Sequence, residues 1–223
     1  MINILGVHVY EFSVAVTDFI LFIESFLFTY FLYKQKTSQI LLRRFFILLF
    51  LSLSTSSLLG AIFHAFFPQK TATINGFVVW ILIAVSIGIT ASLVWCINGI
   101  ILKGNKLLKI ILPFAILYLL TFIYVLLYVN YQFKTVIIFY VPPMIIFALI
   151  SLIQFLKNHL SAWLYLFLGI IISFIAAIIQ YLQISLNPVY FNFNSFYHLI
   201  QGIALIIIFL SFRSLLKQIR PQN

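Results

Sequence analysis

The sequence predicts an all-α polytopic membrane protein, a single domain of seven transmembrane helices covering residues 1–223. The first observation is the composition, in which 65% of the residues are hydrophobic and 7% are charged, with a mean hydropathy of +1.21. Soluble domains carry about 25% charged residues, and part of any soluble surface must face water. The second observation is that the apolar runs are continuous, as in the segment 110–129. Strands of a membrane barrel alternate apolar and polar residues, so the runs predict helices.

Each apolar run has the length of one membrane crossing, which takes roughly 20 residues. The short connections between the runs contain the Gly, Pro, Asn and Lys residues that are typical of turns. Pro142 and Pro143 lie inside the fifth run, where a missing helix hydrogen bond predicts a kink or a late start. The predicted spans are about 11–33, 44–67, 76–102, 107–129, 135–156, 161–183 and 194–212.

The distribution of Lys and Arg predicts an outside N-terminus and a cytoplasmic C-terminus. The N-terminus and the even-numbered loops carry only Lys70 and Lys134, and cytoplasmic loops are the ones enriched in basic residues. The net charge of +10 does not indicate nucleic acid, because the basic residues lie in short loops between apolar runs. We therefore expect membrane lipid as partner, in the cell membrane or, in a Gram-negative bacterium, the inner membrane. The residues that are expected on the cytoplasmic side are Lys34, Lys36, Arg43, Arg44, Lys103, Lys106, Lys109, Lys157, Arg213, Lys217 and Arg220.

All three acidic residues lie in or beside the first span. Ionisable groups within a span are costly and mark functional sites. Asp18 is expected in the outer half of the membrane, as a candidate catalytic group or metal ligand. Glu24 is expected nearer the middle, as a buried partner, and Glu11 at the outer boundary.

Two histidines are predicted at similar depth near the outer face. His64 ends the second span and His198 begins the seventh, which runs in the opposite direction. Ser57 shares a helix face with His64, because residues 57, 60 and 64 are spaced by three and four, and it is a candidate catalytic residue. An alternative stays open, in which each histidine only bonds a neighbouring helix. The further predicted supporting or ligand-binding residues are Glu24, Gln180, Asn194, Tyr197 and Gln201.

Three segments around these residues, "TDFILFIES", "GAIFHAFF" and "NSFYHLIQGIAL", carry a resemblance to a known group of proteins. The chain resembles the CREST superfamily of seven-span membrane hydrolases, which includes alkaline ceramidases and the adiponectin and progestin receptors. It is still more similar to uncharacterised bacterial members of that group. The resemblance implies zinc held by one histidine on the second span and by two on the seventh. His64 and His198 match that pattern, whereas Asn194 replaces the third histidine, Gly60 a serine and Asn75 an aspartate.

Two functions follow from these residues. In the first, a zinc ion bound by His64 and His198, with Asp18 as third ligand or as an orienting group, activates water to hydrolyse a lipid amide or ester. Zinc lowers the pKa of its bound water to about 7. This reading expects the two rings to face each other across one cavity, with Asp18 in reach. In the second, a non-enzymatic bundle uses the same polar residues to bind a small ligand, a lipid or a partner subunit.

Overall fold

The computed structural model describes residues 2–4 and 6–218, and its regular structure there is helical apart from one short hairpin. The hairpin pairs β1 (Ile2–Ile4) with β2 (Val7–Val9) antiparallel, and the sequence analysis did not predict it. A single 3-10 turn, Lys70–Ala72, follows the second helix. The helices are α1 (Phe12–Lys34), α2 (Ile40–Phe66), α3 (Ile74–Tyr128), α4 (Phe133–Asn158), α5 (Ser161–Tyr181) and α6 (Phe193–Gln218).

All six helices are long and apolar enough to cross a membrane. At a rise of 1.5 Å per residue, about 20 helical residues span the hydrocarbon core of roughly 30 Å. Many large apolar side chains remain exposed along the helices, as for Ile20 on α1 and Leu210 on α6. The prediction of an all-helical, multi-pass membrane protein is confirmed.

Helix α3 is broken near its middle. Its 55 residues would extend roughly 80 Å if straight, far beyond one hydrocarbon core. Lys103 and Gly104 leave the helical conformation, and Gly104 adopts φ +58° and ψ −143°, a backbone conformation that is suited to glycine. The chain turns back there, which divides α3 into an N-terminal limb, residues 74–102, and a C-terminal limb, residues 105–128.

The two limbs of α3 pack against each other in antiparallel fashion. Gly88 lies directly against the ring of Phe122, and Gly99, closer to the break, lies against Ile111. Contact partners that approach each other in sequence toward the turn define a helical hairpin. The limbs coincide with the predicted third and fourth spans.

Helix α4 runs unbroken through Pro142 and Pro143. Proline has no N–H, so Pro143 leaves the carbonyl of Phe139 without its usual helical donor. Tyr118, on the C-terminal limb of α3, donates its hydroxyl to that carbonyl at 2.7 Å. Asn98, on the N-terminal limb, donates its amide to the carbonyl of Pro143 at 3.2 Å. Both limbs of α3 are thereby tied to the proline region of α4.

Stacked aromatic rings join α1, α2 and α6 in the core. Phe46 stacks on Phe212 with ring centroids 3.6 Å apart, and Phe28 stacks on Phe209 at 4.1 Å. Phe46 and Phe212 are fully buried. This packing brings the start of α1, the end of α2 and the start of α6 together at one end of the bundle.

Candidate functional site

The first part of the site is an ion-paired carboxylate at the start of α1. Glu11 immediately precedes the helix, and its backbone N–H donates to the carbonyl of His64 at 3.2 Å. Its carboxylate accepts a short hydrogen bond from His64 Nδ1 and an ion pair from Lys70 Nζ at 3.1 Å. The hydrogen bond from His64, reinforced by the Lys70 charge, outweighs partial burial and lowers the pKa of Glu11 to about 2. Glu11 is therefore an anion at neutral pH.

The second part of the site is a buried acid–histidine pair. His198 Nε2 lies 3.3 Å from Asp18 Oδ1, and both side chains are buried. His198 Nδ1 lies 3.0 Å from the hydroxyl of Thr17. That hydroxyl also lies 3.0 Å from the carbonyls of Ser13 and Val14. A hydroxyl has one proton to donate, so Thr17 donates to a carbonyl and accepts from His198 Nδ1. The remaining contact, between Nε2 and Asp18, is then bridged by a single proton.

Gly60 on α2 makes room for the Asp18 carboxylate. A Cβ added at Gly60 would lie 2.8 Å from Asp18 Oδ2 and 3.1 Å from its Cγ. Any side chain at this position would therefore push the carboxylate away from α2. The Asp18 carboxylate stands where the serine implied by the resemblance would begin.

The two acid–histidine pairs are neighbours that use different carboxylates. His64 is bound by Glu11 and His198 by Asp18, while α2 contacts α6 directly. The two rings are close enough to interact electrostatically. Within the described part of the chain, no group of three or more His, Cys, Asp or Glu side chains is placed to hold a metal ion. The shared zinc ion stays a prediction, as does the single cavity between the rings.

Asn194, which stands where the resemblance places a histidine, is bonded within the bundle. Its Oδ1 accepts a hydrogen bond from Gln180 Nε2 at 3.0 Å, which ties the start of α6 to the end of α5. The backbone N–H of Asn194 donates to the side chain of Asn192, which caps α6. Asn75 is exposed in the first turn of α3.

The other predicted residues surround the two pairs at different depths. Tyr197 packs its ring 5.1 Å from His198 and is close enough to Asp18 to interact electrostatically. Gln201 donates to the hydroxyl of Ser173 on α5 at 3.2 Å, and Ser57 is half-buried on α2. Glu24 Oε1 is buried without a partner among the described residues.

Sequence reasoning missed Glu11, Lys70 and Thr17 as members of the site. Glu11 and Lys70 did carry a signal, because both were expected at the outer boundary where His64 ends its helix. Thr17 carried no signal of its own, since a threonine in an apolar helix usually bonds its own backbone.

Comparison with known proteins gives one match. The sequence model of a family described as "Family of unknown function (DUF6962)" matches residues 13–217. This range contains Asp18, His64 and His198 and leaves Glu11 outside. No curated protein matches the chain. No solved structure matches it.

Proposed function

The chain belongs to the family of unknown function DUF6962, and we propose that it is a seven-span membrane hydrolase that cleaves an amide or ester bond in a lipid. The acid–histidine cluster of Glu11, Asp18, His64 and His198 would be its active site, near the outer face. The observation that carries the proposal is the pairing of His64 with Glu11, which fixes one ring nitrogen.

The seven-span arrangement is supported by the break in α3. Each limb of α3 is long enough for one crossing, so five unbroken helices and two limbs make seven. An odd number of crossings places the two termini on opposite sides. The Lys and Arg residues then support an outside N-terminus, because Lys70 and Lys134 alone lie at the end that holds the cluster.

The geometry at His64 suits general-base catalysis. A neutral imidazole that donates through Nδ1 has its lone pair on Nε2, and no described residue bonds His64 Nε2. A water held against Nε2 would give up a proton as its oxygen attacks the lipid carbonyl. The anionic Glu11 stabilises the imidazolium that forms, as the carboxylate of a catalytic triad does.

The second pair supplies the acid. The carbonyl carbon–oxygen or carbon–nitrogen bond breaks, and the leaving group takes the proton that Asp18 shares with His198. Because both nitrogens of His198 are bonded, His198 acts as a positioning residue for Asp18. A proton passing from His64 to Asp18 restores the starting state. Ser57, on the same face of α2, keeps its predicted catalytic role as a position for testing.

Zinc fits this arrangement poorly. His64 Nε2 is open, but both ring nitrogens of His198 have protein partners, and the Asn194 amide is committed to Gln180. An amide oxygen is also a weak zinc ligand beside imidazole or carboxylate. The mechanism above therefore passes no step through a metal ion.

The test is hydrolysis of fluorescent ceramide and phospholipid-ester probes by the full chain in nanodiscs. General-base catalysis contributes roughly 10²–10⁴-fold, so His64→Asn should reduce kcat by about that factor. Glu11→Gln should reduce it less. His159→Asn is the matched control, because His159 ends α4 far from the cluster with φ +53°, which asparagine adopts readily. Failure of wild type to cleave any probe, or equal rates for His64→Asn and His159→Asn, would reject the proposal.

A second candidate function, ligand or partner binding without catalysis, is favoured by one observation. His198 and Asn194 already find all or part of their hydrogen bonds inside the protein, as polar residues that join helices do. Under this alternative, His198→Asn lowers the unfolding temperature while no probe is hydrolysed by wild type.

A further inference from the structure

A cavity of about 360 Å³ lies at the end of the bundle opposite the acid–histidine cluster. Its walls are the starts of α2 and α5, the end of α4 and the break in α3. This volume falls within the range of ligand pockets, roughly 300–1,000 Å³. Its polar lining includes Ser38, Asn105 and Asn158, and its apolar lining includes Leu42 and Trp163.

The rim of the cavity is positively charged. Lys103 and Lys106 flank the lining residues of the α3 break, Lys157 precedes the lining residue Asn158, and Lys36 lies two residues before Ser38. None of these lysines forms an ion pair with a described acidic residue. Of the acidic side chains, Glu11 and Asp18 belong to the cluster at the other end, and Glu24 lies midway along α1. The positive charge at the rim is therefore not neutralised by the protein.

Two helix N-termini contribute to the cavity wall. α2 and α5 begin there, and neither N-cap residue, Gln39 or Leu160, caps its helix with a side-chain hydrogen bond. The first N–H groups of a helix have no partner within the helix and carry a partial positive charge. An anion is the group that such N–H donors bind best.

From the cavity, its lysine rim and its uncapped helix starts, we propose that this site binds a phosphate group. The amides of Asn105 and Asn158 offer further donors, and the apolar wall that includes Trp163 would accommodate the adjoining hydrocarbon of a lipid. The phosphate belongs either to the headgroup of an anionic phospholipid or to a free phosphate. This site is separate from the proposed hydrolytic cluster, so each can fail without the other.

The test introduces one negative charge without changing side-chain size. Asn105→Asp places a carboxylate in the cavity wall, and Asn130→Asp places the same charge in the exposed connection after α3, at the other end of the bundle. A carboxylate beside a partly solvated phosphate should weaken binding roughly fivefold or more. Inorganic phosphate is titrated against the full chain in uncharged detergent. In parallel, phosphatidylcholine nanodiscs are compared with and without phosphatidic acid.

The readout is the thermal unfolding midpoint, since a ligand that binds only the folded state raises it. Stabilisation by inorganic phosphate identifies a free phosphate site, and stabilisation by phosphatidic acid alone identifies a lipid headgroup site. In both cases Asn105→Asp must reduce the effect and Asn130→Asp must leave it unchanged. No stabilisation by either probe, or an equal effect in both variants, overturns the proposal.

A second pair of variants decides the matter if Asn105→Asp does not fold. Lys103→Gln with Lys106→Gln removes two rim charges, whereas Lys134→Gln with Lys217→Gln removes two charges away from the cavity. The first double variant should weaken phosphate binding several-fold, and the second should not. Equal affinities in the two would contradict the proposed site.

Discussion

The close approach of Gly60 to Asp18 predicts a strong energetic coupling between these residues. In Gly60→Ala the new Cβ would lie 2.8 Å from Asp18 Oδ2, and ordinary contact begins at 3.4 Å, so the carboxylate must move about 0.6 Å. The carboxylate is buried against His198, so this shift disturbs the pair. Overpacking of this kind costs about 1–3 kcal/mol, while alanine gains about 1 kcal/mol over glycine within a helix. We expect a net loss of about 1 kcal/mol.

A double-mutant cycle isolates the contact. With the carboxylate removed in Asp18→Ala, the Cβ at position 60 meets no acid, and Gly60→Ala should be neutral or stabilising. The difference between the two backgrounds should be about 1–3 kcal/mol, which is the overpacking cost itself. Gly99→Ala is the control, because its Cβ would meet only the side chain of Ile111 at 3.3 Å.

Cys96, the single cysteine, provides the assay because it is buried until the bundle opens. A thiol-reactive fluorogenic dye followed during heating in detergent gives the unfolding midpoint of each variant. For a chain of this size 1 kcal/mol corresponds to about 2–4 °C. If Gly60→Ala lowers the midpoint equally with and without the Asp18 carboxylate, the two residues do not compete for the same space and the reasoning is refuted.

Three further predictions concern pH, orientation and metal. The lowered pKa of Glu11 means that its contribution to stability is present above about pH 5 and is lost as the pH falls toward 2; the unfolding midpoint of wild type should fall more over this range than that of Glu11→Gln, and parallel curves would contradict the ion pair. In intact cells, an impermeant thiol reagent should label a cysteine that replaces Lys70 and not one that replaces Lys36, whereas the reverse pattern would invert the orientation. Wild type should bind zinc weakly, Asn194→His should raise the measured zinc content and Asp18→Asn should remove what wild type holds; tight binding that survives Asp18→Asn would show that Asp18 is not a ligand.

The helices were predictable because membrane insertion is decided by local composition. The first predicted span, about 11–33, and the last, about 194–212, lie within a few residues of Phe12–Lys34 and of the start of Phe193–Gln218. The turn inside α3 was marked by Lys103 and Gly104. The N-terminal hairpin was not predicted, because its strands are only three residues long.

The site was predictable in depth but not in pairing. The positions of His64, His198 and Asp18 along their helices follow from residue number and rise. Which carboxylate meets which ring depends on how each helix is rotated, and each residue turns by about 100°. That rotation is set by contacts far apart in sequence, such as Phe46 with Phe212. The partnership of Glu11 with His64 therefore emerged only from the packed structure.

Both carboxylates of the cluster belong to a single structural unit. Glu11 and Asp18 are seven residues apart, about 10 Å along the axis of α1, and they are held from opposite sides by His64 on α2 and His198 on α6. Helix α1 is thus latched twice, like a shaft fixed by two pins. A twist of this shaft withdraws both pins together, so neither histidine can be released by a rigid rotation of α1 while the other stays engaged.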